Sequence, residues 1–393
     1  MPTRVRTGAR NRRPPATAGA PAPRRIRGGA WRVSAASSWL GPFPRRTFAT
    51  QVFAHYTALT ALRKPGGSVM IGVLASCLIS AASLAAPVQV ILDTDLGDDI
   101  DDTWALAQLV AAPEVEVKLV VTAFRNTPAK AELVSKMLAA MECEGIPLGI
   151  GPKTGDQPLN HDPAWRADFD VAAYRGEVLE DGVQALIDTV HAIGEGAVIC
   201  VIGPQTNIGA ALDRDPSIAE HARIVSMAGS VRVGYNGSEK PSVEWNVKGD
   251  IPAIRKVFAA PWPITFAPLD SCGTLRLEGE RYQTVADSDA PLAKMVIENY
   301  TGWKNRKHYG EDQSSILFDT AAVQLCFDES PFVMETVKLS IDDEGMTVED
   351  EEHGRPVACA MDWQDRDKFE TMLVERLTDP KGAGGRYLPA KGE

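Results

Sequence analysis

The chain has 393 residues and a formal net charge of −11, room for one large α/β domain or two small ones. That charge averages two unlike parts. No Asp or Glu precedes Asp93, the first 69 residues hold 13 of the 41 basic residues, and the other 28 face all 52 acidic ones, a net of about −24. A body this acidic lacks the clustered cations that replace counterions on nucleic acid, which excludes nucleic acid as its partner.

Residues 1–69, rich in Arg, Pro, Ala and Gly without hydrophobic periodicity, read as a disordered basic leader. A nucleic-acid arm and a transit peptide are two readings of it; an over-extended translation start is the simpler one. Residues 70–86 look like a secretory signal: Arg63-Lys64 precede an apolar run from Val69 to Leu84, and the small Ala85-Ala86 follow. The run is about 16 residues, short for a membrane span, so export without stable membrane insertion is expected. Leu74-Ala-Ser-Cys77 resembles a lipoprotein box but comes early in the run, which favours cleavage near Ala85 or Ala86.

The folded body is expected over 87–385. Val88 to Leu92 reads as a buried strand. It runs into Asp93-Thr-Asp-Leu-Gly-Asp-Asp-Ile-Asp-Asp102, six carboxylates in ten residues, and a helical pattern begins at Thr103. Like charges this close are kept most readily when a cation neutralises them, and hard oxygen donors point to Ca²⁺ or Mg²⁺. A solvated helix N-terminus competes with that reading, since the helix dipole favours Asp there. An EF-hand does not, because its twelfth position would be Trp104. A phosphatase loop with Asp93 as nucleophile is a third reading.

Strands and helices then alternate. Strands are expected at Val115–Phe124, Ile146–Ile150, Ala197–Ile202, Ile224–Ala228 and Pro263–Leu269. Helices are expected at Ala129–Glu144, Val183–Ile193, from Ile208, at Asp250–Phe258, Pro291–Trp303 and Thr320–Cys326. The polar, aromatic segment 152–182 has the length of a binding loop or lid. Thr336 to Ala360 alternates like an antiparallel hairpin, and Asp365–Leu377 reads as a closing helix. The pattern predicts a single large α/β domain with a mostly parallel, Rossmann-like sheet flanked by helices, plus a C-terminal antiparallel hairpin and helix. Polar residues past strand ends (Asp95, Asn126, Asn207, Asp270) would gather at one edge, where open α/β sheets bind ligands. Cys143, Cys200, Cys272, Cys326 and Cys359 have no metal-like spacing; Cys200 and Cys326 lie in apolar runs, and export would permit one bridge among the five.

The Asp loop resembles the longer form of the signature of the inosine-uridine-preferring nucleoside hydrolases, and further pieces follow in order over residues 88–380. Val121-Thr-Ala-Phe-Arg-Asn126 is similar to the family's second strand end. Ile202-Gly-Pro-Gln-Thr-Asn207 is similar to its Gly-Pro-Leu-Thr-Asn turn, Glu244-Trp-Asn246 to its Glu-Phe-Asn motif, and Leu317-Phe-Asp319 stands where the family has His-Asp. The resemblance implies Ca²⁺ held by Asp95, Asp102, the Ile202 carbonyl and Asp319. It implies Asp95 as general base toward a metal-bound water attacking C1′ of a small-molecule nucleoside, with Asp101, Asn126, Glu244 and Asn246 on the ribose hydroxyls and Asp319 beside them. A homo-oligomer, dimer or tetramer, is implied too. Asp93 is expected to order the loop, and Asp98 or Asp99 to be solvated. The chain departs from the pattern twice: Phe318 replaces the leaving-group His, and the His-Gly motif after the third strand is missing, with His161 in unlike surroundings. Tyr300, His308 and Tyr309 are the candidate replacements. The reading that follows is a calcium-dependent N-ribohydrolase, the alternative an exported ribosyl-ligand binding protein without turnover.

Overall fold

The computed structural model describes residues 86–380 apart from Glu144 and Asp168. The basic leader, nearly all of the signal-like segment and the last residues of the expected domain lie outside the described residues.

Ten strands form one sheet: β1 (Val88–Thr94), β2 (Val115–Thr122), β3 (Leu148–Ile150), β4 (Val178–Leu179), β5 (Ala197–Val201), β6 (Ala222–Met227), β7 (Ile264–Ala267), β8 (Phe332–Ile341), β9 (Thr347–Glu349) and β10 (Arg355–Trp363). Their order is β4-β3-β2-β1-β5-β6-β7-β10-β8-β9. All pairings from β4 across to β10 are parallel; only β10–β8 and β8–β9 are antiparallel. The expected hairpin is therefore the antiparallel end of the same sheet, joined to it through β10 on β7. From β1 the chain winds outward through β2, β3 and β4, then returns to β5 on the other side of β1 and winds the opposite way. The gap between β1 and β5 is thus the topological switch point, where the strand ends leave a crevice.

The sequence accounts for this layering. β1 is a run of β-branched and aliphatic residues buried on both faces, as central parallel strands are. Successive side chains alternate: Val90 and Leu92 enter one core, with Trp104, Leu133, Leu292, Leu317 and Leu373, while Ile91 enters the other, with Leu186, Ile208 and Ile254. The first helix, Asp101–Ala111, starts two residues earlier than expected and is buried along its whole length. A helix buried all round has no polar face to solvate, so the carboxylates of its first turn, Asp101 and Asp102, are drawn inside with it.

Several expected boundaries shift. The segment 152–182 is not one loop: it holds a short helix at Pro163–Arg166, a 3₁₀ turn at Val171–Ala173 and β4, which pairs with β3. The helix Gly279–Ala286 and the short helices Trp245–Gly249 and Leu269–Cys272 were not expected. The five described cysteines are buried, and all are free thiols rather than a bridge. Cys200 and Cys326 are core residues whose thiols face each other, and that contact, with burial, holds the Cys200 thiol well above its usual pKa. Among the described residues no helix is long and apolar enough to cross a membrane.

Candidate active site

A cavity of about 280 Å³ opens at the switch point, lined by residues from the ends of β1, β2, β5 and β6 and from the starts of three helices. Its floor is the acidic loop. Gly97 turns that loop with φ of +108°, a backbone that only glycine adopts without strain, and Asp98 N–H donates to the Asp95 carbonyl at 3.1 Å. The turn after β5 packs directly against it. A Cβ on Gly203 would stand 2.8 Å from Asp95 N and 2.9 Å from Asp95 Cβ, so this position must be bare for the two strand ends to meet.

Asp101, Asp102 and Asp319 form the centre, with one carboxylate oxygen from each lying within 4.8 Å of the others. Asp101 and Asp102 begin the helix Asp101–Ala111, and Asp319 lies in the first turn of the helix Phe318–Leu325. Both helices therefore point positive dipole ends at the cluster. Thr94 donates its hydroxyl to Asp102 at 2.5 Å, and Asp319 N–H donates to Asp101 at 3.3 Å. Burial, then the charge of their neighbours, pushes the carboxyls of Asp101, Asp102 and Asp319 well above the usual range. Burial likewise raises Asp95, to about 7, against the opposing pull of Lys130.

Buried carboxylates this close must be neutralised by protons or by a metal. The donors are all oxygens, which suits a hard divalent ion rather than zinc or copper, so the residues present fit the implied metal. Ile202 completes the arrangement at the end of β5. Its N–H is tied to the Asp93 carbonyl at 2.8 Å, and its own carbonyl accepts from the Asn246 amide at 3.2 Å.

Glu244 and Asn246 enter from the loop after β6. Glu244 caps the helix Trp245–Gly249, accepting from Asn246 N at 2.8 Å, Val247 N at 3.0 Å and Gly229 N at 3.1 Å. Burial raises its pKa and those N–H groups lower it, with burial the larger effect. Asp95, Asp101, Asp102, Ile202, Glu244, Asn246 and Asp319 all line the one cavity. Asn126 does not: it stands half-buried ahead of the helix Thr127–Ala140, and its neighbour Arg125 lines the cavity in its place.

The remaining acids divide by environment. Asp93 is fully buried behind the loop, accepting from Asn207 at 2.6 Å; burial raises its pKa to about 7. It orders the loop, as expected, and being turned away from the cavity it cannot serve as a phosphatase nucleophile. Asp99 is exposed. Asp98 is not solvated as expected: its side chain is 8% exposed and pairs with Lys130 at 3.1 Å. Asp270 instead secures the Val231–Val233 backbone, accepting all three N–H groups.

Sequence reasoning missed Lys130. It is completely buried, and its ammonium donates to the carbonyls of Asp95 at 2.8 Å and Ala123 at 3.1 Å. Its one signal was position, one turn ahead of Leu133 and Val134 on the apolar face of its helix. It missed also the aromatic wall. Tyr235 packs edge-on against Phe318, ring centroids 6.0 Å apart, and its hydroxyl accepts from Trp245 N at 2.9 Å. Arg125 lies over the rings of Phe124 and Trp245, at 5.2 and 4.9 Å. Both Phe124 and Arg125 have left-handed backbone, φ of 60° and 57°, a strain of about 1–3 kcal/mol each; Arg125 N–H donates to the Thr154 hydroxyl at 2.7 Å, and its carbonyl accepts from Thr154 N–H at 2.9 Å and Gly155 N–H at 3.2 Å.

None of the expected leaving-group candidates lines the cavity. His308 is exposed on a 3₁₀ turn, Tyr300 is buried with its hydroxyl donated to the Gln313 carbonyl at 2.9 Å, and Tyr309 stacks on Trp303. His161 is buried against the Thr103 hydroxyl at 3.2 Å, and burial depresses its pKa to about 4.

A sequence model of the inosine-uridine preferring nucleoside hydrolases matches residues 90–374. The chain belongs to that family. It is accordingly an enzyme, a hydrolase of N-glycosyl bonds. The hydrolase is 26% identical over 317 residues to the pyrimidine-specific ribonucleoside hydrolase RihA of Klebsiella pneumoniae, covering 75% of this chain and 99% of that one. It is 29% identical over 242 residues to an uncharacterised protein of Schizosaccharomyces pombe, covering 57% and 76%. Its fold matches a plant nucleoside hydrolase, PpNRh1, with a TM-score of 0.64 at 23% identity, covering 75% and 100%. It also matches a purine-preferring ribonucleoside hydrolase of Gardnerella vaginalis, with a TM-score of 0.61 at 21% identity, covering 75% and 99%.

Proposed function

We propose that the hydrolase is a calcium-dependent N-ribohydrolase that cleaves the N-glycosidic bond of purine or pyrimidine ribonucleosides to free base and ribose. The observation that carries this is the convergence of Asp95, Asp102, Asp319 and the Ile202 carbonyl with Glu244 and Asn246 on one cavity.

Asp95, Asp102, Asp319 and the Ile202 carbonyl would hold the ion, with Asp101 adjoining. When bound, Ca²⁺ supplies positive charge that makes a nearby water more acidic and draws in the sugar's vicinal diol. The protein's own groups do the rest. Asp95 takes the proton of the water that attacks C1′, a role that needs a carboxylate within hydrogen-bond reach of it. Glu244 accepts from sugar hydroxyls with the lone pairs its backbone donors leave free, and Asn246 offers its amide. Asn126, one residue from the lining Arg125, reaches the sugar through a rotation of its uncapped side chain. As the C1′–N bond breaks, the surrounding carboxylates stabilise the oxocarbenium-like charge on the ring. Buried polar groups matched to hydroxyls reject analogues that lack them, so ribosides are preferred to 2′-deoxyribosides.

The test is reducing-sugar release by the full chain from a panel of ribonucleosides, with calcium and after chelation. Release that stops on chelation and returns with Ca²⁺ supports the reading; release indifferent to chelation refutes the calcium dependence, and no release from any riboside refutes the activity. Export through the signal-like segment 70–86 and assembly into a dimer or tetramer belong to the same proposal. N-terminal sequencing of the mature protein and sedimentation analysis test them.

A further inference from the structure

Among the described residues the cavity's lining contains no histidine: Phe318 and Tyr235 form the wall beside Asp319. His161 is buried behind the floor and neutral, since burial lowers its pKa to about 4. Among the described lining residues Tyr235 carries the one hydroxyl. Burial and the charge of Glu244 hold its phenol proton more tightly than usual, which makes it a poor proton donor. An ordinary nucleoside leaves as an unstable anion unless its ring is protonated, and a positioned acid is worth about 10²–10⁴-fold there.

The same lining is strongly anionic. Seven carboxylates face the cavity, from Asp95, Asp98, Asp99, Asp101, Asp102, Glu244 and Asp319, against one lining cation, Arg125. Counting a divalent ion and the buried Lys130 with Arg125 still leaves a formal charge of about −3, and a cleft lined by one sign of charge concentrates ligands of the other. An aromatic face beside carboxylates is a surface for a flat organic cation.

We propose that the preferred substrates are ribonucleosides whose base is already a cation, a pyridinium or an N7-alkylated purine, which departs as a neutral molecule. This rests on the ribohydrolase reading above. The water oxygen forms a bond to C1′, and the C1′–N bond breaks with its electron pair passing to the positively charged ring, which becomes neutral. The water's proton passes to Asp95 and then to solvent. No proton is delivered to the base, so the step is complete without the acid that Phe318 displaces. The Phe318–Tyr235 edge gives the cationic ring its contact in the ground state, and the acidic floor draws it in.

The experiment uses the calcium-loaded full chain with four kinds of riboside: nicotinamide riboside, 7-methylguanosine, the neutral inosine and uridine, and 4-nitrophenyl β-ribofuranoside, whose leaving group needs no acid. The expected result is kcat/KM for one or both cationic ribosides about 100-fold or more above inosine and uridine, the factor a missing acid removes from the neutral pair. The two cationic arms decide between pyridinium and purine. A second readout is independent of turnover: N-methylnicotinamide cation should quench tryptophan fluorescence through the cavity's Trp245 with affinity about tenfold above neutral nicotinamide. Phe318→His should raise inosine turnover about tenfold or more relative to nicotinamide riboside. Nitrophenyl riboside hydrolysis with inosine or uridine within about tenfold of both cationic ribosides overturns the inference and leaves the ribohydrolase reading standing. Equal binding of nicotinamide and its N-methyl cation also overturns it. Failure of all the ribosides, the nitrophenyl compound included, overturns both.

Discussion

Replacing Lys130 with methionine tests whether a buried cation holds the acidic loop together. The side chain is fully buried, so methionine fills nearly the same volume and the change is chiefly electrostatic. Its ammonium donates to two carbonyls, Asp95 at 2.8 Å and Ala123 at 3.1 Å, and pairs with Asp98 at 3.1 Å. Removing it leaves the Ala123 carbonyl without a donor, at about 1–3 kcal/mol, while the Asp95 carbonyl keeps the Asp98 N–H at 3.1 Å. It also leaves the Asp98 carboxylate with only Arg125 at 3.5 Å, and breaking a buried pair on one side costs about 3–5 kcal/mol. Against these losses stands the relief of no longer burying an ammonium, worth several kcal/mol. The balance is a destabilisation of about 3 kcal/mol, measured by urea unfolding of the metal-free protein at pH 7. In an Asp98→Asn background the same substitution should cost about 1–2 kcal/mol less, because no carboxylate is stranded. Calcium should then raise the melting temperature of Lys130→Met more than that of the wild type, since the loop has lost its other cation. A single variant within about 0.5 kcal/mol of wild type, or strict additivity with Asp98→Asn, would refute this account of the loop.

Three further outcomes follow from the same geometry. Asp319→Asn removes one of the three central carboxylates and should abolish both reducing-sugar release and the calcium-induced rise in melting temperature; retention of that rise would remove Asp319 from the ion's ligands. Gly203→Ala places a Cβ 2.8 Å from Asp95 N, so the Asp loop must move: stability should fall by about 1–3 kcal/mol while kcat falls at least about tenfold, and wild-type kcat would show that the approach is not needed. The third concerns pH. Burial lowers the His161 pKa from 6.5 to about 4 in the folded protein, so between those values the unfolded chain binds a proton that the fold refuses. Stability from this group is whole above pH 6.5 and drains away as pH falls to about 4, by about 3 kcal/mol at most. Urea titrations of wild type and His161→Asn should therefore converge as the pH is lowered through that window; curves that stay parallel would exclude the effect.

What was legible in the chain tracked its hydrophobic patterning. β1 and β5 read correctly because strands buried on both faces are continuous apolar runs, and the polar residues just beyond them marked the crevice. The start of the first helix did not read correctly. Asp101 and Asp102 resemble loop residues, yet acids belong in the first turn of a helix because the dipole welcomes them there. Residues 152–182 looked like one loop since their strand, β4, is two residues long and gains its geometry only from pairing with β3. Lys130 was invisible for a different reason. A lysine on a helix is solvated by default, and only the burial of Asp98 and of the Asp95 carbonyl, reached from another strand end, makes a use for its charge. Phe318 was legible as a departure, but not its partner Tyr235, which lies 83 residues earlier in the chain and meets it only in the fold.

The departures share a physical logic with the parts that match. A chain that packs seven carboxylates around one cavity has to offset their repulsion, and this one does so with means fixed in the fold. Two helix N-termini aim at the central three acids, Lys130 is drawn fully inside, and Arg125 is held over the mouth on a strained backbone turn. A histidine at position 318 would ease that repulsion only in its protonated form, beside acids that stabilise the imidazolium and so weaken it as a proton donor. Phenylalanine contributes no charge, and it leaves a face on which a cationic ring can rest against an uncompensated field. For a nucleobase leaving group the acid is then dispensable when the substrate brings the positive charge itself, so the identity of residue 318 and the charge of the preferred base are two readings of a single constraint.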